Sequence, residues 1–74
     1  MNISEYLKQY IGKTGHLEDT RNGYYAGTYS LDLSNSKRFR EASIKEVGDD
    51  YILIDDTSSK RTVCIPISRF ELFI

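Results

Sequence analysis

The 74-residue chain holds one cysteine (Cys64), one proline (Pro66), one histidine (His16) and no tryptophan. A single cysteine excludes an internal disulfide. A zinc site would have to be assembled from Cys64, His16 and carboxylates, none of them at ligand spacing, so no metal and no cofactor is expected. No apolar run approaches the roughly 20 residues of a membrane span. The first residues also lack the basic and apolar regions of a signal peptide. With the unpaired cysteine, these absences read as a cytoplasmic protein with no membrane partner. Charge of one sign is missing too: ten Lys and Arg stand against eleven Asp and Glu, a formal net charge of −1. The balance gives no global attraction for nucleic acid, and any such contact must be local. No pair of residues is spaced to act as base and nucleophile, so the chain is not expected to be an enzyme.

What is present is a compact set of apolar residues with tight-turn signals. Length limits the chain to one domain, 1–74, near the lower bound at which a single core offsets the entropy of folding. Self-association is the remaining route to extra stability once disulfides and metals are excluded. "NISEYLKQYIGK" reads as an opening helix whose Ile3, Tyr6, Leu7, Tyr10 and Ile11 share one face, with Asn2 as cap, Glu5 completing a capping box and Gly12 ending it. The helix is too short to persist alone and must dock on something apolar.

Strand signals follow. "GHLEDT" is a weak strand and Asn22-Gly23 a hairpin turn. In "YYAGTYSLDL", Tyr25, Gly27, Tyr29, Leu31 and Leu33 share one face. "SKRFREASIKEV" has helix-forming composition but no single apolar helical stripe, and we read it as a strand. Gly48-Asp49-Asp50 turns into "YILI", apolar on both faces and so covered on both, one side by the core and the other by the helix or a neighbouring chain. "TSSK" is a loop, and "RTVCIPI" a strand with Val63, Ile65 and Ile67 on one side. "FELFI" is a last strand, with Pro66 marking an edge, bulge or break before it. The expected fold is mainly β: a helix followed by a five-stranded, strongly bent antiparallel barrel of SH3-like or Sm-like form.

This order, with Gly23 after the turn, "GTY" at Gly27 to Tyr29, Asp32, Asn35 and the closing "VCIPISRFELFI", resembles the Sm-like family of ring-forming RNA-binding proteins. The resemblance implies a homo-oligomeric ring in which "YILI" of one subunit pairs with "RTVCIPI" of the next, placing Tyr51, Leu53, Val63 and Ile65 at the interface. It also implies a pore-facing loop that binds single-stranded RNA. Asp32 and Asn35 would read a base, Lys37, Arg38 and Arg40 would hold phosphates, and Tyr29 or Arg69 would stack. Three spacings run against the match: the intervals Gly23 to Gly27, Gly27 to Asp32 and Asp32 to Asn35 are each about one residue short, which reverses strand faces unless bulges absorb it. The loop also has Pro66 to Arg69 in place of Arg-Gly.

Plainer readings stand beside these. Asp32 to Asn35 is also ordinary turn chemistry, and the basic cluster an ordinary surface. His16 reads as a surface strand histidine, Cys64 as a small buried or interface residue. The pairs Glu18-Asp19, Asp49-Asp50 and Asp55-Asp56 read as solvated turns, because adjacent strand residues point opposite ways and cannot easily chelate one ion. The alternative function is an SH3-like protein-interaction module with no nucleic-acid binding, taking its partner by strand addition or through its tyrosines.

Overall fold

A computed structural model describes residues 1–19, 27–34 and 40–74. The chain opens with helix α1 (Ile3–Lys8) and continues through strands β1 (Thr14–Asp19), β2 (Tyr29–Asp32), β3 (Glu41–Val47), β4 (Tyr51–Asp56) and β5 (Arg61–Pro66). One turn of 3-10 helix (Ile67–Arg69) then leads into β6 (Phe70–Phe73). The strands form one sheet in the order β5-β4-β3-β1-β2-β6. The turn Asn22-Gly23 and the candidate loop residues Asn35, Lys37 and Arg38 lie outside the described residues.

The mainly β architecture is as expected; strand number, direction and closure are not. There are six strands instead of five. The sheet is mixed, because β2 and β6 run parallel with Tyr29 beside Phe70 and Asp32 beside Phe73. No backbone pairing joins β5 to β6, so the sheet is open. The cause is at the end of the chain. Pro66 closes β5, and the 3-10 turn carries the chain away from the β4 ladder and lays β6 on β2 at the far end of the sheet.

Residues 41–47 of the ambiguous segment form a strand, with a register shift between Ile44 and Glu46 that makes room for Lys45. One face of the sheet supplies the core. Leu17, Leu31, Ala42, Ile44, Ile52, Ile54 and Ile65 are essentially inaccessible, and Tyr29, Leu33, Val63, Ile67 and Leu72 pack against them. Alternation in β5 is therefore as the sequence pattern required, whereas in β2 Ser30 is buried as well as Leu31 on the opposite face. In β4, Ile52 and Ile54 are buried, but Tyr51 and Leu53 on the other face are only half covered. Gly15 is needed for close approach: a Cβ there would stand 2.6 Å from the Asp32 carbonyl oxygen.

The helix departs from its expected face. Asn2 caps it by accepting from the Glu5 backbone N–H at 2.8 Å, and Gly12 takes φ +87° beyond its end, as the sequence indicated. Yet α1 covers only six residues, so Tyr10 and Ile11 fall outside it. Its buried side chains are Leu7 and Ser4, whose hydroxyl donates to the Gly48 carbonyl at 2.6 Å. Ile3 and Ile11 stay 59% and 46% exposed. The hydroxyl bond to the β3–β4 turn and the Leu7 anchor together rotate the apolar stripe partly into solvent. No helix among the described residues is long and apolar enough to cross a membrane.

Candidate functional site

The sheet curls, and its unpaired seam leaves a cleft of about 500 Å3. On one wall are Asp19 at the end of β1 and Tyr29 at the start of β2. On the other is the first half of β5, Arg61 to Cys64; Arg40, just before β3, completes it. These strands converge because β1 and β2 form an antiparallel pair with Asp19 opposite Tyr29, while β5 ends the sheet on the other side.

The backbone of β5 has a defined polarity across its width. Ile67 N–H donates to the Asp50 carbonyl at 3.0 Å, which fixes Asp50 and Ile67 as a hydrogen-bonded pair. Such pairs alternate along an antiparallel ladder, so Arg61, Val63 and Ile65 turn their backbone groups toward β4, and Thr62, Cys64 and Pro66 turn theirs to the open side. Pro66 thus occupies an outward position, where its missing N–H removes no bond to β4. Among the described residues, no strand pairs with that outer edge.

Arg40 is held from within. Its Nε donates to the Asp56 Oδ2 at 2.8 Å, and its backbone N–H to His16 Nδ1 at 3.4 Å. Asp56, the last residue of β4, has a fully covered side chain, whereas Arg40 is 36% exposed. Burial pushes the Asp56 carboxyl pKa up more strongly than any other single influence. Hydrogen bonds from the Ser58 hydroxyl (2.8 Å), Arg40 and the Ser59 N–H (3.4 Å), with the Arg40 charge, together outweigh it and lower the pKa from 3.8 to about 2. With Nε committed, the two Nη groups of Arg40 are the donors left to a ligand. The Arg61 side chain makes no hydrogen bond or ion pair with any described residue. Among the described residues, no cluster of His, Cys, Asp and Glu could hold a metal, and every buried side-chain polar atom has a partner.

Three plain readings are corrected here. His16 is buried, not a surface residue, because its ring is covered where Nδ1 accepts from Arg40 and Nε2 faces Glu18 at 3.4 Å. Asp56 is buried rather than solvated, because it faces the core side of β4 and its carboxylate is satisfied by Ser58, Ser59 and Arg40. Of the two readings of Cys64, buried or at an interface, the buried one is corrected, because the residue is exposed on the outer side of β5 opposite Leu53.

The structure also separates the candidate RNA-binding residues. Tyr29 lines the cleft, and Arg69 is exposed just before Phe70, which pairs with Tyr29. Asp32 lies at the opposite end of β2 and on the other face. There its Oδ1 accepts from the Ser34 N–H at 3.0 Å and from the Ser34 hydroxyl at 2.6 Å, an Asx-type turn. The proposed interface pairing of "YILI" with "RTVCIPI" is made within one chain, Leu53 opposite Cys64 and Ile54 opposite Val63. Because β4 lies between β3 and β5, its backbone ladders are both taken within the chain, while the side chains of Tyr51 and Leu53 stay half covered. Of the apolar interface candidates, Val63 is half covered and Ile65 fully buried within the chain's own core. No protein-family model, curated protein or solved structure matches this chain.

Proposed function

We propose that the chain is a non-enzymatic protein-interaction module, a small curled β-domain of SH3-like kind that takes an extended segment of a partner protein by strand addition along the outer edge of β5. One observation carries this reading. Among the described residues the edge is unpaired beside a cleft, and the only proline occupies an outward slot, so no described strand takes the backbone groups of Thr62 and Cys64 that a new strand would use. Strand addition draws its affinity from such main-chain bonds and its register from pockets beside them.

The test uses an unbiased display library of short linear peptides selected on the intact protein. Cys64→Pro removes an outward N–H and no bond to β4, so it is expected to weaken selected binders about tenfold while melting behaviour and far-UV dichroism stay unchanged. Thr62→Pro is the second variant, should the first perturb the edge. Binders indifferent to both substitutions, or a library yielding none, would reject the reading.

A ring-forming, RNA-binding Sm-like protein is the second proposal, and one observation favours it: among the described residues the sheet has two different open edges, β5 and β6, which heterologous pairing could join head to tail. Neighbouring copies would then close the barrel that one chain leaves open. In this reading Asp32, Asn35, Lys37 and Arg38 serve the pore, with Tyr29 and Arg69 as stacking partners. Light scattering at high micromolar concentration is expected to return a whole multiple of 8.5 kDa; a strict monomer sinks the ring.

A further inference from the structure

We propose that the partner segment is acidic, its carboxylate seated in the cleft between the Arg61 guanidinium and the two Nη groups of Arg40 while its backbone extends the sheet along β5. This inference rests on the strand-addition reading and adds the chemistry that selects the strand.

The argument is one of unmatched charge. Among the described residues, five charged groups lie in or beside the cleft: Arg40, Arg61, Asp19, Asp56 and, on the outer face of β4, Asp55. Asp56 is saturated by two serines and the Nε of Arg40. Asp55 accepts from the Thr62 hydroxyl at 3.0 Å on the other side of the sheet, and Asp19 already has a partner. The cations are less fully used: the Arg61 side chain has no partner among the described residues, and Arg40 is clamped through Nε alone. The cleft therefore carries donors and positive charge that no described residue satisfies.

The clamp matters because it makes one of these donors rigid. A guanidinium held at Nε by a buried carboxylate keeps its plane fixed and offers its far edge without losing side-chain freedom on binding, which suits the paired oxygens of a carboxylate. Arg61 is adjacent on the edge strand itself, where a side chain of the added strand would run alongside it. A volume of about 500 Å3 is within the usual range of ligand sites, so a carboxylate side chain enters without displacing the walls. Tyr29 on the opposite wall supplies a flat surface against which the stem of that side chain can pack.

The same peptide library separates this inference from the reading beneath it. Sequences selected on the native protein are expected to be enriched in Asp or Glu at one position. Replacing that residue by Gln or Asn should weaken binding about tenfold, the effect of losing a charge-assisted contact. Arg61→Glu, at an exposed side chain with no internal partner, should leave melting unchanged, weaken acidic peptides at least as much and favour Lys or Arg at the same position. If selected peptides depend on the β5 edge, as judged by Cys64→Pro, yet show no acidic preference and ignore Arg61→Glu, the inference falls and strand addition stands. If no peptide binds at all, both fall. A short uridine-rich RNA that binds more tightly than any selected peptide, and loses that binding on Arg61→Glu, would replace the peptide as occupant and overturn the inference.

Discussion

Asp56→Ala is expected to cost about 3 kcal/mol of folding stability, read as a lower urea midpoint with an unchanged slope. The figure comes from what the carboxylate leaves behind. Removing it takes a partner from Arg40, from the Ser58 hydroxyl and from the Ser59 N–H at once. Breaking a fully buried pair costs roughly 3–5 kcal/mol, and the lower end applies because Arg40 is partly exposed and can turn to water. A domain of this length has a total stability of roughly 4–11 kcal/mol, so the loss is a large fraction of it. Asp56→Asn keeps an oxygen for the serine and backbone donors but not the charge for Arg40, and should fall between the two.

The same group sets an acid limit. Its pKa is about 2 in the folded protein against 3.8 ordinarily, so the unfolded chain binds more protons between those values. The contribution is complete above about pH 4 and is lost as pH falls from about 4 to 2. It amounts to roughly 1–2 kcal/mol after allowance for the exposure of Arg40. Urea titrations across that range should show native stability declining and the decline flattened in Asp56→Asn. An unchanged pH profile in the variant would mean that other carboxyls set the acid limit.

The sequence carried the elements more fully than the way they are joined. Asn2, Gly48 and the alternation in "RTVCIPI" act through local geometry, and each appears where its local chemistry places it, while Gly12 takes its positive φ only after the helix has ended at Lys8. The route of the chain after Pro66 is non-local. "FELF" has no local signal that it will lie parallel on β2, whose residues are about 40 positions away, so a barrel of antiparallel strands was the natural inference from turn spacing alone. The cleft was hidden for the same reason, since Arg40, Arg61 and Tyr29 meet only through that topology. Asp56 did leave a trace. Asp followed by Ser at two and three residues is the pattern of a carboxylate bonding the turn beyond it, and "DDTSS" contains it. A solvated turn, the reading given to Asp55-Asp56, accounts for the hydroxyl and N–H partners but not for the burial of Asp56.

Leu7→Ala is the other large effect, about 3 kcal/mol, and it follows from how little of the helix is anchored. Six residues cannot hold a helix in water, so α1 persists only through its docking. Leu7 is the one apolar side chain of α1 that is buried, joining the cluster made by the sheet, and Ser4 adds a single hydroxyl bond. Truncation would remove most of that anchor and open a void against the core. Ile3→Ala, three-fifths exposed on the same helix, should cost less than about 0.5 kcal/mol by the rule for surface positions. The contrast separates the observed orientation of the helix from the one its apolar pattern suggested, in which Ile3, Tyr6, Leu7, Tyr10 and Ile11 would all be buried together. Comparable losses at Leu7 and Ile3 in urea unfolding would mean that the exposed stripe is covered in solution, and light scattering on the same samples would show whether another copy of the chain covers it.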